Sequence, residues 1–155
     1  MTSLFRSLLI CVDDPAKYWD LLRSEVANVM AYRAKVRILL VRPRPVLAVY
    51  SASNALGLRY AANALQRKAA AAESSLRELV QCSSSDEQNQ ASLHVLDEQP
   101  SAECIANLAL AESSDRVVIA LDLPGDKLAA LRADVEASLL DQGRIALIIS
   151  VHAAA

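Results

Sequence analysis

Short, strongly apolar runs alternate along this chain with segments of helical periodicity, and that alternation constrains the fold more than any other feature. The first run, Ser7 to Val12, is stopped by Asp13-Asp14-Pro15. A continuous apolar run closed by turn residues predicts a strand buried on both faces. Beyond Pro15, Tyr18, Leu21, Leu22, Val26, Val29 and Met30 recur at spacings of three and four, predicting an amphipathic helix to about Arg33. Asp13 or Asp14 is the expected cap, with Pro15 near the first helical position. A second strand, Val36 to Val41, ends at Arg42-Pro43-Arg44-Pro45, where two prolines forbid its continuation.

The alternation continues to the end of the chain. A loop through about Ser53 leads into a long alanine-rich helix from Asn54 to Val80, carrying Leu58, Ala61, Ala62, Leu65, Ala69, Ala72, Leu76 and Leu79. Ser83-Ser84-Ser85-Asp86 ends it, and a polar stretch runs to Gln90. Ala91 to Leu96 reads as a third strand, Pro100-Ser101 opens a helix with Ile105, Leu108 and Ala109, and Val117 to Leu121 is a fourth strand. Leu128, Leu131, Val135, Leu139 and Leu140 mark a helix that Gly143 terminates, before a fifth strand from Ile145 to Val151. Strict β-α alternation predicts an α/β fold: an open, doubly wound, five-stranded parallel sheet with helices on both faces, Rossmann-like, in one domain from Met1 to Ala155. Ligands of such sheets sit beyond the strand C-termini, where strand order reverses, so Asp13, Val41, Asp97 and Asp122 fall on the functional rim.

Composition narrows the function classes. An apolar share of 54% and a charged share of 22% exclude disorder over most of the length. A net charge of −2 without a basic stripe excludes a nucleic-acid footprint, and Arg42 and Arg44 read as a solvated loop. The N-terminal apolar run is too short to span a membrane and has no cleavage site, so a cytoplasmic protein is expected. Cys11, Cys82 and Cys104 lack metal or redox spacing and read as free thiols in a reducing compartment. His94 and His152 have no partner at ligand spacing, so no metal site is expected. Asp13-Asp14 also suggests a phospho-receiver pocket, but Asp97 is too distant in sequence and the last strand ends without a lysine. Tyr18 and Trp19 are adjacent, so one is expected to pack and the other to lie at a subunit contact.

Several segments together resemble the universal stress protein family: Leu8-Leu9-Ile10-Cys11-Val12-Asp13, the long second helix, and the stretch from Ser101 through Ile105, Ala109 and Asp115 to Val117–Ile119. The resemblance spans nearly the whole chain. It implies a stress-response or regulatory protein, non-enzymatic, forming a homodimer through the last strand, Ile145 to Val151, with room for a protein partner. Members that bind ATP with magnesium carry a G-x-x-G motif after strand four, then nine residues, then Gly-Ser or Gly-Thr. Glycines let backbone N–H groups approach phosphates at a helix N-terminus. Carrying that register forward places Ala120, Leu123, Ala133 and Asp134 at the four positions. It also sets the Asp134 carboxylate about 4 Å from a phosphate, a repulsion of about 4 kcal/mol at an effective dielectric near 20. The expectation is therefore no cofactor and no ATP binding through the usual loop. The alternative is an adenine-nucleotide switch or weak ATPase using Asp13, Val41 and a rearranged loop near Gly125; against it, Asp13 reads as a helix cap and Val41 as a core residue.

Overall fold

The computed structural model describes residues 6–31, 34–41, 55–83, 91–97, 100–144 and 146–151. The expected loops at 42–54 and 84–90, and Arg33, Ile145 and His152, lie outside them. The described elements are β1 (Ser7–Val12), α1 (Trp19–Ala31), β2 (Lys35–Val41), α2 (Ala55–Ser83), β3 (Ala91–Leu96), α3 (Ala102–Ala111), β4 (Arg116–Ala120), α4 (Gly125–Asp141) and β5 (Leu147–Ser150). All four strand pairings are parallel, and the spatial order is β3-β2-β1-β4-β5. This is the five-stranded α/β sandwich expected from the alternation.

Burial follows strand position. Every residue of central β1 is buried, because helices cover both of its faces. Edge strand β3 has only Ala91 buried, and His94 is exposed on it. Alternate residues of each strand feed two cores. Leu8, Ile10, Val12, Ile38, Leu40 and Val118 join Leu22 and Val26 of α1 and Leu76 of α2. Leu9, Cys11, Leu39, Val41 and Ile119 join Ile105 and Ala109 of α3 and Val135 and Leu139 of α4. Complete burial pushes the Cys11 thiol up to about 12, helped by Cys104, so Cys11 is a neutral packing residue.

Several boundaries depart from the sequence expectation. Helix α1 starts at Trp19, because residues 15–18 form a turn closed by the Lys17 N–H on the Asp14 carbonyl at 3.2 Å. Tyr18 therefore precedes the helix, and both aromatic residues pack: Tyr18 is buried and Trp19 lies partly buried against the same core. Helix α2 continues past Val80 to Ser83, and β5 is shorter than Ile145 to Val151, covering Leu147–Ser150.

Two helices end alike. The Gly143 N–H bonds the Leu140 carbonyl and the Arg144 N–H bonds Leu139, both at 2.9 Å, with Gly143 at φ 73. The same double bond closes α3, where Ser113 and Ser114 donate to Leu110 and Ala109 and Ser113 takes φ 53. Both chain reversals deliver a strand start beside Asp115. Its carboxylate accepts the Arg6 N–H at 2.7 Å and faces the Arg144 guanidinium at 3.4 Å. Nearby, Arg116 of β4 and Glu25 of α1 pair at 3.1 Å, and Arg37 of β2 reaches Glu112 after α3 at 3.0 Å. These pairs tie the middle of α1 and the residue after α3 to the N-terminal parts of β4 and β2, leaving the opposite rim to the site.

Candidate functional site

Strand order reverses between β1 and β4, where the chain leaves β1 for one face and β4 for the other. The two links diverge and open a crevice beyond the strand C-termini. Asp13 and Asp122 face each other across it. Asp13 Oδ2 accepts the backbone N–H of Asp122 at 2.8 Å, tying the end of β1 to the segment after β4. Asp13 is thus a cross-strand tie rather than the cap of α1. Its Oδ1 is buried without a hydrogen-bond partner. Burial raises the Asp13 pKa, and the Asp122 N–H opposes that rise.

Lys17 completes the arrangement. From the turn before α1 its Nζ reaches Asp122 Oδ2 at 2.9 Å, bridging the two walls. The hydrogen bond and charge of Asp122 raise the Lys17 pKa, so the ammonium stays charged at neutral pH. Lys17 carried no sequence signal, since its partner lies 105 positions away.

The remaining expected site residues separate. Val41 ends β2 with its side chain 5% exposed in the core. Ala120 ends β4 and is buried, and Leu123 packs partly buried against the second core. Gly125 begins α4; Pro124 occupies the N-cap with no side-chain hydrogen bond. Ala133 and Asp134 are exposed on the body of α4. Asp134 is nine positions beyond the helix start, about 13.5 Å along the axis at 1.5 Å per residue. The placement of Asp134 at the head of this helix, 4 Å from a phosphate, is therefore corrected. The register slips because α4 begins immediately after the short link 121–124. This link holds Leu121, Asp122, Leu123 and Pro124. Among the described residues no three His, Cys, Asp or Glu side chains form a group able to hold a metal ion.

A doubly wound parallel sheet with this order and this crevice has the fold of the universal stress proteins. A universal stress protein solved in complex with cAMP superposes with a TM-score of 0.51 at 14% identity, covering 98% of this chain and 100% of that one. Universal stress protein UspA from Lactobacillus plantarum superposes at 0.54 with 14% identity, covering 97% and 99%. By sequence, no family model matches the chain and no curated protein does.

Proposed function

We propose that this chain is a non-enzymatic regulatory protein of the universal stress type, cytoplasmic and homodimeric, that does not hold ATP through a glycine loop. The supporting observation is the four-residue link 121–124 between β4 and α4, with no glycine in it. Calorimetric titration with ATP and magnesium tests the reading. No saturation up to about 1 mM is expected, and a low-micromolar Kd refutes it. The self-association surface is the β5 edge and adjoining α4. Leu147 and Leu140 are 61% and 55% exposed there, and Leu140 lines a groove with Leu139, Arg144, Ala146 and Ile148. Pairing two edge strands removes that exposed apolar area and the open backbone edge together.

A second reading has its own support. Asp13 Oδ1 is buried at the strand-order reversal without a hydrogen-bond partner, and a nucleobase amine or sugar hydroxyl would satisfy it once the groups covering it move aside. The structure that superposes at 0.51 was solved in complex with cAMP. On this reading the crevice takes an adenine mononucleotide, with Asp13 and Gly125 at its mouth and Val41 packed beneath. AMP and cAMP titrations test it; binding tighter than about 100 μM that Asp13→Ala abolishes is the expected result.

A further inference from the structure

The groove between α4 and β5 carries two opposite charges placed evenly about an exposed leucine. Glu136, Leu140 and Arg144 stand four positions apart, so they follow one line along the end of α4 and the turn that closes it, and all three line the groove. Glu136 is exposed, and among the described residues no hydrogen bond or ion pair engages its carboxylate. Arg144 keeps donors to spare: its Nη2 stands 3.4 Å from Asp115, at the long limit of a hydrogen bond, and its Nε is buried without a partner. The other charges on this part of α4 are Arg132, one turn before Glu136, and Asp134 and Asp141, which lie off the line; all three are exposed. Beside the groove β5 pairs with β4 alone, so its other backbone edge is open.

We infer that Glu136 and Arg144 are the selectivity determinants of this surface, and that its occupant is a second copy of this chain. A two-fold axis passing at Leu140 sets the two α4 ends antiparallel, so Leu140 meets the partner's Leu140 and Glu136 meets the partner's Arg144, twice. Each charge lies about 6 Å from that axis along the helix, within reach of side chains this long. Parallel placement would set Glu136 on the partner's Glu136 and Arg144 on the partner's Arg144, so repulsion fixes the direction as attraction fixes the register. A different partner without this arrangement meets an unmatched charge at each end of the groove, which selects against it. The inference rests on the homodimer reading for the surface, and on the two charges for the register and the choice of partner.

The test is a charge swap on the full-length chain. Wild type, Glu136→Arg and Arg144→Glu are sedimented alone, and the two variants are also mixed in equal amounts, one of them carrying a mass tag for native mass spectrometry. Wild type is expected to be dimeric. Each reversal alone turns two attractions into two repulsions and should weaken the dimer about thirtyfold. The mixture restores both opposite-charge contacts, so a heterodimer of near wild-type affinity is expected. A dimeric wild type whose affinity neither reversal changes, or a mixture that stays monomeric, overturns the inference and leaves the homodimer reading standing; a monomeric wild type overturns both. Circular dichroism checks the fold, because Arg144→Glu sets a second carboxylate beside Asp115. Should that variant not fold, position 136 decides: Glu136→Gln should weaken the dimer about fivefold, less than Glu136→Arg, and equal affinity in wild type and both variants overturns the inference.

Discussion

Replacing Asp134 by Ser measures how far that carboxylate stands from the crevice. At 4 Å from a phosphate its removal would strengthen binding by about 4 kcal/mol. The structure sets it nine positions into α4 and exposed, about 13.5 Å from the helix start. At that distance through water the repulsion is about 0.3 kcal/mol before salt screening, since the separation exceeds the Debye length of about 8 Å. Asp134→Ser should therefore alter anion affinity by less than twofold. Extending the change to Ala120→Gly, Leu123→Gly, Ala133→Gly and Asp134→Ser restores the family's four residue types but not the loop, so ATP should still fail to bind. The same quadruple variant removes a buried methyl from the end of β4, a packed leucine, and helix propensity mid-α4, together about 4 kcal/mol. Urea unfolding should show the midpoint fall by about 2 M. Calorimetry with ATP and magnesium completes the assay. Micromolar ATP binding by Asp134→Ser alone would place residue 134 beside the phosphates and refute the helix register on which this reasoning stands.

Three further outcomes are expected. Asp13 carries a raised pKa in the fold, so the native state binds its proton more tightly than the unfolded chain does. Its contribution is present below the unfolded value near pH 4 and is lost as pH rises through the folded pKa. Asp13→Asn should therefore gain stability over wild type at pH 7 and match it near pH 3 in urea titrations; a constant difference across that range contradicts the assignment. At the helix ends, Ser113→Gly should raise stability by about 0.5–1 kcal/mol, because Ser113 holds φ 53, while Gly143→Ala, at φ 73, should lower it by about 1 kcal/mol. Thermal melts of the two variants moving in the same direction would refute that account. Leu147→Glu should convert a dimer to a monomer in analytical ultracentrifugation, and an unchanged sedimentation coefficient would move the interface elsewhere.

The sequence by itself determined the layered architecture. Apolar runs such as Leu8–Val12 need cover on both faces, and the helical stripes between them supply it, so β-α alternation leaves few topologies once crossovers must be right-handed. Local signals with partners a few residues away were equally legible. Ser101 caps α3 by accepting the Cys104 N–H at 3.1 Å, and Gly143 ends α4. What only the tertiary structure decided depends on residues far apart in the chain. Asp13 looks like a local cap in sequence, yet its carboxylate is claimed by a backbone N–H 109 positions away. The Lys17–Asp122 bridge exists only because parallel strands β1 and β4 lie side by side. Spacing carried over from a motif predicts position only while the intervening backbone keeps the same shape. Here the helix starts right after a four-residue link, and each residue wound into α4 advances only about 1.5 Å along a fixed axis, carrying Ala133 and Asp134 away from the rim.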